Sequence, residues 1–323
     1  MSLLRTATAA GFAAVLALSA QALPTVAHAA PAVAPAVRFV AAPADSSSAS
    51  MAADYLVTQF VDGPYLTSAF TLSPDQSGTA DAILGLAASG THQTETLAAN
   101  KWLQSQAESF AINAGRAGKL AIVASAMGDD PTNYGGVDLI AIITTAFAAT
   151  PDLGDAFSQS LAIIGLGRAG VDVPQAAVDA LIASQDASGA FGYVDDWTDP
   201  TTPAFVASPD TTGMALMALV SLPEAPATRA SIDKAIAWAA ATRLPAGYWD
   251  AWSPSNSAGL LGGALLDAGE DVSATITWLE GQQKLAGGGL PASLNGTDPE
   301  SMATAQGMLL LAGASLNSVT FTA

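Results

Sequence analysis

Gln185-Asp-Ala-Ser-Gly189-Ala-Phe191-Gly192, followed after a long turn by Asp210-Thr-Thr-Gly-Met-Ala-Leu-Met-Ala-Leu-Val220, decides the fold. The second stretch is apolar on nearly all sides, so as a helix it must be buried. Its Ala and Gly residues let a neighbouring helix approach closely. The first stretch ends a more polar helix over 175–185 and turns through Gly189 onto an aromatic ring. A half-exposed helix, a Gly-aromatic turn and a buried helix form a unit that cannot cover its own apolar face.

Working outward, the unit recurs. Buried-type helices return over 75–90, from near Arg116 to Gly128, from near Asp155 to Gly170, and over 256–269 and 300–313. The six copies stand roughly 40–53 residues apart, a spacing typical of repeat architectures. Between them lie amphipathic stretches over 52–60, 94–110, 137–149, 175–185, 227–243 and 272–283. Several end in Gln and then Gly, as at Gln59 with Gly63 and Gln282 with Gly287. Alternating buried and half-exposed helices close into a double ring, which buries faces that one repeat leaves open. The expected fold is therefore all-α, an (α/α)6 toroid of six helical hairpin repeats over 51–317, with a tail over 318–323. Gly after each buried helix reads as its stop. Asp75, Asp210 and Asn256 read as caps at helix starts.

These repeats resemble the prenyltransferase/squalene-cyclase repeat family, whose hallmark is a helix ending in Gln, a Gly-aromatic turn and a Thr-Ala-rich buried helix. The match is clearest at 185–192 with 210–220 and next at 75–90, and the resemblance spans about 52–316. It implies the toroid. It implies no single activity, because one fold hosts many. Members that transfer prenyl groups use zinc held by Asp, Cys and His, and this chain has no Cys and two His. The thioester members of the fold also need a Cys. Cyclizing members carry Asp-x-Asp-Asp at a buried helix start. The aligned stretch here, Ala207-Ser208-Pro209-Asp210, keeps one carboxylate, and Tyr193-Val194-Asp195-Asp196 keeps two ahead of a loop. The cobalamin carriers of similar fold are binders without catalysis.

Upstream, 1–29 reads as a signal peptide: Arg5, an apolar run over 9–22, and Ala27-His28-Ala29 as the cleavage site. A Pro/Ala/Ser-rich leader follows over 30–50. The longest later apolar run, 139–149, is too short to span a membrane and reads as a core helix. The expected protein is exported and bacterial, extracellular or in the cell envelope. Its net charge of −18 argues against nucleic acid as a partner. No cofactor, metal site or catalytic residue is assigned, and His92 reads as a loop histidine.

Two long turns, 186–210 and 245–256, gather rings and acids where outer helices lead into inner ones. Phe191, Tyr193, Asp195, Asp196, Trp197, Asp210, Tyr248, Trp249 and Trp252 are the candidate ligand-binding residues. An aromatic and acidic mouth suits a sugar, a peptide or a cation. The same rings would also serve as staples holding long turns over the core. The sequence favours a non-enzymatic binder of an unknown small molecule or cell-surface component. The alternative is a terpene-cyclase-like or carbohydrate-active enzyme on the same scaffold, and the cyclase requires a deep apolar cavity on the ring axis.

Overall fold

A computed structural model describes residues 46–68, 71–195, 202 and 204–322. Its helices are α1 (Ser46–Thr58), α2 (Gln76–Ser89), α3 (Gln93–Ser105), α4 (Ala107–Phe110), α5 (Ala114–Met127), α6 (Leu139–Ala149), α7 (Ala156–Arg168), α8 (Gln175–Ala183), α9 (Pro209–Val220), α10 (Pro226–Thr242), α11 (Pro254–Asp267), α12 (Ser273–Leu285) and α13 (Ser301–Leu311). Helices α2, α5, α7, α9, α11 and α13 are buried over most of their length. Each packs on the next, and α13 packs back on α2. This closed succession forms the inner wall of a helical toroid. Helices α1, α3, α6, α8, α10 and α12 lie outside it, each resting on inner helices and keeping one face in water.

Small residues set the inner spacing. A side chain at Gly118 of α5 would sit 2.4 Å from the carbonyl oxygen of Leu161, and one at Gly165 of α7 would sit 2.8 Å from the Cα of Gly118. The two backbones touch, which is the purpose of Gly in such a pair.

The repeated Gln and Thr are ties that hold turns over the ring. Gln185 Nε2 donates to the carbonyls of Gly189 and of Ser231 in α10. Gln283 repeats this with the carbonyls of Gly288 and of Ser48 in α1. Each Gln therefore joins its own turn to the next outer helix. Thr79, Thr212 and Thr304, in the first turns of inner helices, accept from the buried backbone N–H groups of Leu66, Phe191 and Leu290. Buried amides need such partners.

Helix starts follow the sequence reading in part. Asp75 caps α2, accepting from the N–H of Gly78. The cap of α9 is Ser208, not Asp210, which falls in the first turn. The cap position of α11 is Ser253, not Asn256, and its side chain makes no capping bond. In both cases Pro follows the cap, and the start lies two and three residues earlier than expected. Helix α1 begins at Ser46, inside the expected leader, where Ser48 and Ala49 are buried and Gln283 ties the carbonyl of Ser48. The long turn 186–210 holds two short strands the sequence reading did not anticipate, β1 (Gly192–Asp195) and β2 (Ala204–Ala207), paired antiparallel with Tyr193 opposite Val206. The signal peptide and most of the leader lie outside the described residues.

The last residues are a strap rather than a tail. Val319 is buried, and Leu316 reaches the ring axis. Arg168, at the end of α7, donates to the carbonyls of Asn317 and Val319. The N–H of Phe321 donates to the carbonyl of Ala126 in α5. Asp267, at the end of α11, accepts from Ser315 and from Asn317. Burial pushes the Asp267 carboxyl up to about 6 from 3.8, opposed by the donors Ser315 and Asn317 and by Arg168. A carboxyl that holds its proton more tightly folded than unfolded adds stability below pH 3.8 and loses it as pH rises through about 6. The difference amounts to at most about 3 kcal/mol. Asp267→Asn should remove that slope, so urea denaturation across this window should show a flatter profile than wild type; parallel profiles would refute the assignment.

Candidate ligand cleft

Where the six inner helices meet, the described residues leave little room. All six inner helices and Leu316 enclose a cavity of about 20 Å³. That is room for roughly one water molecule. Its polar corner is self-contained: Lys119 Nζ lies 2.9 Å from Asp81 Oδ2 and donates to Ser77, and Gln306 donates to the same carboxylate oxygen.

The structure separates the candidate mouth residues. Phe191 is 0% exposed and Trp249 1%, so both rings are buried. Both are staples: the backbone of Phe191 is tied to Thr212, and Trp249 Nε1 donates to the carbonyl of Ala239. Tyr248 is half-buried, stacked on Trp278 with ring centroids 4.5 Å apart. Trp252 is 98% exposed. Asp210 accepts from Asn256 and Ser257, and burial pushes its carboxyl up against the pull of those two donors. Tyr193 and Asp195 lie on β1, with Tyr193 half exposed. Asp196 and Trp197 lie outside the described residues. His92 is tied to Asp54 at 2.7 Å.

Of these residues, Tyr193 borders a substantial groove. The hairpin β1–β2 forms one wall of a cavity of about 470 Å³ whose other walls are the turn before α7 and one side of α8. Tyr193, Phe205, Asp152 and Asp155 are among its lining residues. A second groove of about 640 Å³ runs along α6, past Ile112 and the starts of α5 and α7. Asp155 lines both, so the two grooves adjoin at this residue and together make one candidate cleft. Asp155 is held in place by its role as the cap of α7, where it accepts from Ser158 N–H at 2.7 Å. Asp152 is fixed by the N–H of Gly154.

The sequence reading missed the α6 half. It places 137–149 among the half-exposed helices while reading the apolar run 139–149 as core, and α6 is an outer helix that buries only Leu139, Ile143 and Phe147. Its remaining face holds Ala, Ile and Thr with no charge, and Ala141 and Thr145 are exposed. An uncharged outer helix in a chain of net charge −18 was the available signal.

Comparison with known proteins adds the fold. No family model matches the chain, and no curated protein matches it. Among solved structures, haptocorrin in complex with Cbi is similar over 84% of this chain and 68% of that one, at 14% identity and a TM-score of 0.59. A protein from Actinoplanes is similar over 83% of this chain and 98% of its own, at 16% identity and a TM-score of 0.58. The type II terpene cyclase MstE from Scytonema aligns over 82% of this chain and 73% of its own, at 16% identity and a TM-score of 0.37. The first two likenesses are of fold. Among the described residues no helix is long and apolar enough to cross a membrane.

Proposed function

We propose that this chain is a non-enzymatic binding protein that takes a small molecule in the surface cleft formed by α6 and the β1–β2 hairpin. The observation that carries this reading is the contrast in room: about 20 Å³ in the cavity on the axis against about 640 and 470 Å³ in the two grooves that adjoin at Asp155. Ligand pockets commonly run to several hundred Å³ and are mostly apolar with a few placed polar groups. A terpenoid cyclase on this fold needs its cavity where the inner helices here meet. The carboxyls that burial pushes up, Asp210 and Asp267, are occupied by neighbouring donors and do not line the cleft. A site for acid–base chemistry would place such a group beside the substrate. Haptocorrin, solved with Cbi, is a precedent for a binder on a like fold. With the signal peptide read from 1–29, we place the protein outside the cytoplasm, where a cell-surface component is the alternative ligand.

Nile red, a neutral dye that brightens in apolar surroundings, tests the site. It should bind close to one per chain with blue-shifted emission. Ala141→Gln with Thr145→Gln puts polar bulk into the groove from exposed helix positions where Gln is well tolerated. The double variant should keep its helicity and lose about tenfold or more in dye affinity, as expected for groove contacts worth over a kilocalorie per mole. Equal dye binding by both proteins would overturn the cleft.

A further inference from the structure

The cleft has two unlike ends. Along α6 its wall is apolar and uncharged, from Ala141 to Ala149. Those eight steps of helix measure about 12 Å, close to the length of a ten-carbon chain. Where α6 ends, the wall changes to Asp152 and Asp155, with Tyr193 and Phe205 on the hairpin beyond. No Lys or Arg lines either groove. The nearest basic residue in sequence on these elements, Arg116 in α5, stacks on Phe110 at 5.3 Å from the ring centroid. Each carboxylate accepts one backbone N–H, and both residues are exposed.

We infer that the cleft selects a cationic amphiphile, an aliphatic chain ending in an ammonium group, with the chain along α6 and the cation between Asp152, Asp155 and the hairpin rings. This rests on the reading that the cleft is the binding site and adds the class of its ligand. Charge complementarity argues for it. An anionic head would meet two carboxylates with no base to offset them, and a neutral head would gain hydrogen bonds at most, without the Coulomb attraction that a cation adds. Aromatic faces add attraction for an alkylated ammonium ion. The arrangement also explains why the uncharged helix sits directly beside two acids: a chain and its charged head need both within one molecular length.

The test compares two ten-carbon probes of nearly equal head size by calorimetric titration, both below their micelle concentrations. Decyltrimethylammonium carries the charge, and decyldimethylamine oxide is neutral at pH 8. Ionic strength is kept physiological, so that charges beyond about 8 Å are screened and the rest of the acidic surface contributes little. The cation should bind roughly tenfold tighter, as expected for a paired, partly desolvated charge. Asp152→Asn with Asp155→Asn should reduce that preference to about twofold or less, and the second change leaves a good helix cap. Ala141→Gln with Thr145→Gln should weaken both probes. Equal binding of the two probes, with both weakened by the Gln variant, would overturn the charge selection and leave the cleft as the binding site. A preference that survives in the double Asn variant would overturn the inference by placing the cation elsewhere. Failure of both probes to bind would overturn it too, with Nile red deciding separately whether the cleft binds at all.

Discussion

Gly118→Val should abolish the cooperative unfolding transition of the domain. The first carbon of any side chain there would meet the Leu161 carbonyl oxygen at 2.4 Å, its carbon at 2.6 Å and the Cα of Ala162 at 2.7 Å. All three are backbone atoms, so no rotamer change relieves the clash. Helices α5 and α7 must separate, and because the inner helices close on themselves, that separation is passed to both neighbours. Overpacking a core costs about 1–3 kcal/mol where side chains can yield. Here they cannot, and a loss above about 4 kcal/mol is expected, a large part of the stability of an ordinary domain. Gly128→Ala is the matched control. Gly128 ends α5 at φ 75°, and nothing lies within 4 Å of an added carbon. That change carries backbone strain alone, about 1 kcal/mol. Thermal denaturation followed by circular dichroism separates the two. A Gly118→Val melting temperature within a few degrees of Gly128→Ala would show that α5 and α7 do not pack backbone to backbone.

Removal of the strap from Ser315 onward should be nearly as damaging. Leu316 and Val319 are buried, and burying two such side chains is worth roughly 3–6 kcal/mol. The deletion also strips Arg168 of two carbonyl acceptors and Asp267 of three donor contacts. Two charged groups of opposite sign would then face each other at an open end of the ring. Water reaching them offsets part of the loss, so the apolar term dominates. The milder Leu316→Ala should cost about 2–4 kcal/mol and keep the fold. A truncated chain that melts with wild type would mean that the ring is closed without its strap.

The parts of the fold that were legible in the sequence are those that repeat. Gln185 and Gln283 make the same two bonds in two repeats, and Thr79, Thr212 and Thr304 make the same tie in three. A contact made in several repeats leaves a recurring mark in the chain. Contacts made once leave none. Trp249 reads as a mouth residue until the carbonyl of Ala239 is seen to take its indole N–H. Phe191 is a staple for the same kind of reason. The hairpin escaped notice because each of its strands is only four residues long, too short for alternation to stand out. The strap is a short segment with no period, anchored to residues some fifty to a hundred and fifty positions away. The α6 groove was not legible for a different reason. The repeat places 137–149 among the half-exposed helices, but an apolar run alone does not tell a face packed on the core from one that lines a groove, and only the packing separates the two.

Native mass spectrometry of the protein taken from its natural source tests the central claim most directly. The account predicts a retained small molecule of one per chain, present in wild type and lost when Ala141→Gln and Thr145→Gln occupy the α6 groove. A molecule retained equally by the variant, and released instead when the axis is filled by enlarging Leu84, would place the ligand inside the ring and contradict the account.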